Sequence, residues 1–239
     1  MPVYKLHPDF ISFPPRTEFD DDVVAIGGDL KPERLIEAYS KGVFPWYSIP
    51  GRLCWYCPAE RCVLPVSLVE ISHSMKGILR REQFRFTMDE DFKSVIEACR
   101  EGEREGQTWI HDEIVEAYAT LHQKGLAHSL EVWQDNQLVG GLYGVSLGAI
   151  FFGESMFSRT ANASKAALIR LCQFLPEIGI NLVDCQVPND HLISMGAQAW
   201  SRDEFLDELE VLVDSLTHAG SWQEPFYRWN YQRMNNPTE

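Results

Sequence analysis

The sequence predicts an α+β chain in two unequal parts, and three observations carry that expectation. From Ser129, three segments with strand character follow one another (Ser129 to Trp133, Leu138 to Val145 and Ala149 to Phe157), parted by a turn at Gln134-Asp135-Asn136 and a break near Gly148. A helical pattern at Lys165 to Leu175 comes next, then an apolar run at Ile180 to Asp184 that reads as a buried strand. Ahead of all these lies an irregular, aromatic stretch in which Pro14-Pro15 and Gly27-Gly28 break any long element. The pattern changes near Glu101 to Thr108. Residues 1–104 are therefore expected to form a smaller mixed α/β N-terminal domain, and residues 105–239 a domain with a mixed sheet flanked by helices.

The remaining elements follow in order. A helix is expected from Pro32, a favourable first-turn residue, with Leu35, Ile36 and Tyr39 as its buried stripe and Gly42 at its end. FPWYSIPGRLCWYCP (Phe44 to Pro58) reads as aromatic and turn-rich. Helices are expected at Ser72 to Arg81 and at Phe92 to Arg100, the second with Phe92, Val95, Ile96 and Cys99 on one side. EGEREG (Glu101 to Gly106) reads as a solvated loop. A helix over Asp112 to Lys124 turns Ile114, Val115, Tyr118 and Leu121 inward. Asn162 or Ser164 is suited to cap the Lys165 helix. A short helix follows Asn189, and an amphipathic one runs from Asp203 to Leu216. Antiparallel strands, then a helix, then another strand is the order of the acyl-CoA N-acyltransferase fold.

Composition narrows the function. With 45% hydrophobic residues and 12% aromatic ones among 239, the chain can bury a substantial core and is not a disordered polypeptide. No run approaches the roughly 20 apolar residues of a membrane span, and MPVYKLHPDF has no secretory pattern, so the expectation is a cytoplasmic protein. The six cysteines are then reduced. Cys54-x-x-Cys57 with Cys62 lacks a second pair and a histidine at ligand spacing, so no metal is expected and the three read as small buried hydrophobes. A net charge of −14 argues against general adhesion to nucleic acid while suiting a cationic substrate. It also sets off the one dense basic group, Lys76, Arg80 and Arg81, in which Lys76 and Arg80 share a helix face. Most such pairs are solvated surface.

The stretch from Gly140 to Ala197 is the most specific. It holds GGLYGVSLGAIFFGESMFSR, NASKAAL, DCQVPNDH and SMGA, placing Glu154, Asp184, Gln186 and Asn189 at the ends of elements, where sites are built. Side chains two apart in extended chain share a face, so Asp184 and Gln186 are expected to meet while Cys185 points away. An amide has no basic pKa and can only accept and orient a hydrogen bond. Asp184 can hold Gln186 in place or receive a proton through it. The alternative is an Asp capping a turn and a Gln in a polar network. Glu154, between Phe152 and Met156, needs a partner wherever it is buried, whether as a core glutamate or as the wall of a site. His191 begins a helix and reads as structural, and a Cys185–His191 hydrolase lacks an orienting third group. The connection SRTANAS (Ser158 to Ser164) contains no glycine, so a coenzyme A cradle is not expected.

Together with GGDLKPERLIEAYSKGVFPWY (Gly27 to Tyr47), TWI (Thr108 to Ile110) and LAHSLEVW (Leu126 to Trp133), these motifs closely resemble the bacterial leucyl/phenylalanyl-tRNA–protein transferases, from about Phe13 to Phe205. The resemblance implies an acyl-CoA N-acyltransferase-like C-terminal domain whose donor is an aminoacyl-tRNA. It implies transfer of Leu or Phe, with Met as a third amino acid, to proteins with N-terminal Arg or Lys, marking them for degradation. It assigns catalysis to Asp184 and Gln186 and places Glu154 beside the donor's amino acid. Leu142, Met156 and Val183 are suited to line an apolar pocket there, with Asn189 counted among the substrate-binding residues. Trp46 and Trp109, read as loop residues, would stack a terminal adenine. Lys76, Arg80 and Arg81 would meet the acceptor stem. No cofactor is implied, and the expected state is a monomer away from membranes. Two departures stand out. Leu142 replaces the family's usual Met, and Trp55-Tyr56-Cys57-Pro58-Ala59-Glu60-Arg61 stands where the family reads WWSPDPR. Two other readings of the chain are an acetyl-CoA-dependent N-acetyltransferase and a non-catalytic module that binds the tRNA end.

Overall fold

The computed structural model of the chain describes residues 3–49, 52–101 and 110–235. In order these form β1 (Tyr4–Leu6), β2 (Val23–Gly27), α1 (Pro32–Ser40), β3 (Phe44–Ile49), β4 (Arg52–Tyr56), β5 (Glu60–Pro65), α2 (His73–Arg80), β6 (Arg85–Met88) and α3 (Phe92–Glu101). There follow α4 (Asp112–Gln123), β7 (Ala127–Gln134), β8 (Gln137–Leu147), β9 (Ile150–Ser158), α5 (Ala163–Phe174), β10 (Leu182–Gln186), α6 (Asp190–Ile193), β11 (Gln198–Ser201), α7 (Arg202–Val213) and α8 (Gln223–Asn235). The class is mixed α+β.

Local chemistry sets several of these bounds. Pro32 opens α1, and Gly42 follows its end at a φ of +71°. A reciprocal capping box of Ser201 and Glu204 starts α7. The β8–β9 turn needs Gly148, whose φ is +54° and whose missing Cβ would lie 2.1 Å from the Leu212 carbonyl oxygen. At the head of α5, Asn162 takes a left-handed conformation and its side chain caps nothing; the Ser164 N–H instead donates to the Ser158 hydroxyl.

Two sheets result. A small one has the order β1-β2-β4-β3, and a seven-stranded one the order β11-β5-β10-β9-β8-β7-β6. The large sheet is antiparallel except where β10 runs parallel to β9. One face packs on α1, α3, α4, α7 and the small sheet; the other packs on α5, α8 and Met75 of α2. A division at residues 104/105 falls between α3 and α4. Strands from both sides of it, β5 and β6 before and β7 to β11 after, belong to the same sheet.

The aromatic segment Phe44 to Pro58 is not irregular: it supplies β3 and β4, with Pro45 tolerated because β3 is a sheet edge. Trp46 consequently lies on β3 rather than in a loop. β5 had no readable alternation because four consecutive residues, Arg61 to Leu64, are buried. In α8, beyond the last helix read from sequence, the buried face is aromatic, with Phe226 on the helix and Trp222 just ahead of it. The EGEREG segment and Trp109 fall largely or wholly outside the described residues. Among the described residues no helix is long and apolar enough to cross a membrane.

One buried acid lies away from any site. Glu131 on β7 accepts from the Thr87 and Ser129 hydroxyls and from the backbone of Glu90 and Asp91. Burial pushes its pKa up to about 7 despite those bonds. The protonated form is thus favoured in the folded state, whereas the unfolded chain ionises near the ordinary value of about 4.3. Stability from this group is present below that value and is lost as the pH rises toward 7, a change on the order of 3 kcal/mol. Glu131→Gln, which cannot ionise, is expected to flatten the fall of melting temperature between pH 5 and 8, read by thermal unfolding across that range.

Candidate active site

The site grows from two irregularities in neighbouring strands. β9 pairs with β10 only from Ile150 to Phe152, opposite Leu182 to Asp184, and then continues to Ser158 paired with β8 alone. Beyond that last pair the two strands part. In β9 the pairing with β8 skips Glu154, since Gly153 meets Gly144 and Ser155 meets Tyr143. In β10 the pairing with β5 skips Cys185, between Asp184 opposite Val63 and Gln186 opposite Cys62. Such bulges re-aim side chains. Here both fall at the mouth of the split.

The second bulge corrects the geometry expected from a spacing of two. Gln186 is left-handed, with a φ of +64°, so its side chain leaves the face on which Asp184 lies. Asp184 reaches Gln186 through the backbone instead, its Oδ1 accepting the Gln186 N–H at 2.9 Å. The Gln186 Nε2 donates to Glu154 Oε1 at 2.8 Å.

Glu154 is the hub. Its Oε1 also accepts from the Tyr39 hydroxyl at 2.6 Å, and its Oε2 from the Tyr118 hydroxyl at 2.9 Å. The two tyrosine hydroxyls contact each other as well. Burial pushes Glu154 up to about 7, hydrogen bonds from the tyrosines and Gln186 pull against it, and the Asp184 carboxylate adds to the rise. Burial beside this carboxylate holds both tyrosines well above their usual range, so they stay neutral donors.

Behind Gln186, Asp184 is wholly buried and paired with Arg61 of β5. Arg61 donates from Nε to Oδ1 at 2.8 Å and from Nη2 to Oδ2 at 2.6 Å, a bidentate fork. Its third arm donates to the Gly42 carbonyl at 3.0 Å. The guanidinium is sandwiched by Phe44 and Phe205, 4.7 and 4.4 Å from their ring centres. Burial opposes its charge, but the Asp184 carboxylate outweighs that and raises its pKa.

The other expected site residues are distributed unevenly. Leu142 of β8 faces Met156 of β9 in register, and both pack with Val183 in the core beneath α5, on the face opposite Tyr39 and Tyr118. Trp46 is half-buried, edge-on to Tyr56 with ring centres 5.4 Å apart. Asn189 caps α6, accepting the Leu192 N–H at 2.9 Å. Lys76, Arg80 and Arg81 are exposed on α2 and at its end, away from this network, and none forms an ion pair among the described residues. Cys54, Cys57 and Cys62 are all buried.

Three members of the network were not read from sequence: Arg61, Tyr39 and Tyr118. The tyrosines were placed on buried helix stripes, and a buried tyrosine hydroxyl needs a partner. That requirement, set beside the unpaired glutamate Glu154, was the available signal. Arg61 heads the buried run Arg61 to Leu64 of β5 and raises the same question.

Comparison with known proteins identifies the family. The family model described as leucyl/phenylalanyl-tRNA protein transferase matches residues 63–210, and that of the same family's N-terminal domain matches residues 28–59. The relative from Anaeromyxobacter sp. (strain K), named leucyl/phenylalanyl-tRNA–protein transferase, is 45% identical over 226 residues, 93% of this chain and 97% of its own. Relatives of the same name from Shewanella halifaxensis and Flavobacterium johnsoniae are 46% and 49% identical, over 92% and 83% of this chain and 94% and 95% of theirs. A GCN5-related N-acetyltransferase from Anabaena variabilis is a similar solved structure, with 10% identity and a TM-score of 0.44, covering 74% of this chain and 43% of that one. With one model covering more than half of the sequence and relatives matched almost end to end, the chain belongs to the leucyl/phenylalanyl-tRNA–protein transferase family.

Proposed function

We propose that the split between β9 and β10 is where this aminoacyltransferase joins its two substrates. The donor is an aminoacyl-tRNA carrying Leu or Phe, and the acceptor is the α-amine of a protein. The observation that carries the reading is the fixed Gln186 amide. Its Nε2 is committed to Glu154, so its carbonyl oxygen is turned the other way as a rigid acceptor at the mouth of the split. That oxygen receives an N–H of the attacking amine and aims the nitrogen lone pair at the ester carbonyl. The amide bond forms as the ester C–O bond breaks, and the amine proton ends on the departing ribose oxygen. The ester is already activated, so the step draws on no ATP, metal or cofactor. Positioning of this kind is worth roughly 7–11 kcal/mol in well-oriented systems.

Asp184 acts here as a positioning residue. Both of its oxygens are occupied by Arg61, and one also holds the Gln186 N–H. Glu154 anchors Gln186 and borders the pocket for the donor's side chain at the split, and Leu142, Met156 and Val183 supply its apolar lining from the other face of the sheet. Met156 suits side chains of different shape. Trp46 and Trp109 stack the terminal adenine. Lys76, Arg80 and Arg81 meet the acceptor-stem phosphates. The acidic surface, at a net charge of −14, suits acceptors with N-terminal Arg or Lys, which the transfer marks for degradation. The head of α5, where a coenzyme A pyrophosphate would need free N–H groups, already gives the Ser164 N–H to Ser158.

Gln186→Ala is expected to lower kcat about 10²-fold, the size of effect that a misplaced reacting group produces, with donor affinity nearly unchanged. Asp184→Asn is expected to slow transfer and also to lower the melting temperature, because it leaves Arg61 buried without its charge partner. Single-turnover transfer of labelled leucine to a protein with N-terminal arginine, with donor titrations alongside, reads both. Wild-type turnover in both variants sinks the assignment.

The pH profile tests Glu154. Ionised, it is acceptor-only and holds the Gln186 Nε2, so activity is present above about 7 and is lost as the pH falls through that value. In Glu154→Gln that limb is expected to vanish, leaving kcat/KM to follow only the acceptor amine, at about 7.7–8.0. An unchanged profile argues against the role.

Lys76→Glu with Arg80→Glu is expected to weaken tRNA binding sharply while sparing an aminoacyl-adenosine donor, which has no stem. Each lost phosphate contact flattens the log–log salt dependence by about 0.7–0.9. Equal weakening of both donors would mean that α2 supports the fold and that the RNA lies elsewhere.

A further inference from the structure

Beneath α8 the structure holds a buried cation that lies outside the candidate site and has no ion-pair partner among the described residues. Arg170 of α5 is only 8% exposed. Its Nε–H is buried and meets no acceptor, and no described carboxylate forms an ion pair with it. Its guanidinium lies 4.7 Å from the centre of the Phe86 ring and 5.8 Å from that of Trp229 on α8. Arg233, one turn further along α8 and exposed, stands 5.7 Å from the same Trp229 ring. Two guanidinium groups thus share one indole. Burial, and after it the like charge of Arg233, pull the Arg170 pKa down to about 10.

Cation–π contacts return about 0.5–2 kcal/mol each. Taking an ion out of water costs several kcal/mol unless a counter-charge answers it. Arg170 has the rings and only the distant pull of the Glu82 carboxylate, which favours its charge without forming an ion pair, and a second cation stands beside it. What the pair lacks is one compact anion able to accept from two planar forks, and a phosphate group has that chemistry. The position indicates its source. Glu82, which acts electrostatically on Arg170, directly follows Arg80 and Arg81, and Phe86, under the Arg170 guanidinium, lies on the strand that follows α2. The pair therefore adjoins the C-terminal end of the basic helix.

We infer that Arg170 and Arg233 bind a backbone phosphate of the donor tRNA, continuing across α5 and α8 the contact line that starts on α2. This rests on the reading that α2 faces the RNA. Free inorganic phosphate has the same chemistry, so the test separates the two sources.

The experiment measures binding of tRNA and of aminoacyl-adenosine, across a salt series, to the full chain and to its Arg233→Gln, Arg170→Gln and Lys76→Glu/Arg80→Glu variants. Arg233 is exposed, so its replacement leaves the core in place; melting curves verify the fold of Arg170→Gln. For Arg233→Gln the expected result is about tenfold weaker tRNA binding and a salt slope smaller by about 0.7–0.9. Aminoacyl-adenosine affinity is expected to hold. Unaltered tRNA affinity and slope in Arg233→Gln overturn the inference. They do so equally if inorganic phosphate, at constant ionic strength, raises the melting temperature of the wild type and not of Arg233→Gln, since the pair then serves the free anion. The α2 variant separates the two failures. If it weakens tRNA binding and Arg233→Gln does not, only the inference falls; if neither does, the reading of α2 falls with it.

Discussion

The pair formed by Arg61 and Asp184 is the interaction on which the rest of this structure depends. It joins β5 to β10 inside the large sheet, reaches the small-sheet side through the Gly42 carbonyl and Phe44, and rests on α7 through Phe205. Both partners are almost without exposure, so the charges are costly alone and tolerable only together. Removing one partner of such a pair costs about 3–5 kcal/mol. An apolar pair of the same volume could stabilise the sheet as well, yet it would offer nothing to the Gln186 N–H. The ion pair therefore converts a joint between elements into a support for one strained residue. The left-handed Gln186 persists because Asp184 holds its amide from behind.

On the other lip of the split the logic is complementary. Glu154 is buried without a cation and is made tolerable by three neutral donors, Tyr39 from α1, Tyr118 from α4 and Gln186 from β10. Two carboxylates thus stand near one another in different company. One is held by a guanidinium fork, and burial pushes the other up to about 7. The two surroundings suit separate tasks: Asp184 ties strands together, while Glu154 holds the Gln186 side chain in the proposed site.

Much of this was legible in the sequence, and what was not has physical causes. Amphipathic helices such as α3 and α4 announce themselves by period, and the hairpin of β7 and β8 by its Asp135-Asn136 turn. Short strands buried on both faces, such as β5, show no alternation to read. The α8 face is aromatic rather than aliphatic. The position of Gln186 was legible, but its direction was not, because a bulge changes which way a side chain points without leaving a mark in the local pattern. Arg61 lies more than a hundred residues from Asp184 in sequence, and no periodicity reports a contact at that range.

The pairing of β5 with β10 also has a consequence for how the chain is made. During synthesis β5 leaves the ribosome about 120 residues before the strand it pairs with, since Val63 lies opposite Asp184. Until then Cys62, Val63 and Leu64 have no β10 to cover them, and Arg61 has no anion. Contacts of such separation close slowly, because the loop entropy must be overcome before any pairing repays it. β7 to β9 can assemble first as a local meander, leaving the slot beside β9 open. The proposed reactive end is therefore among the last parts to form, and a truncated or stalled chain would carry a nearly complete sheet without the split between β9 and β10.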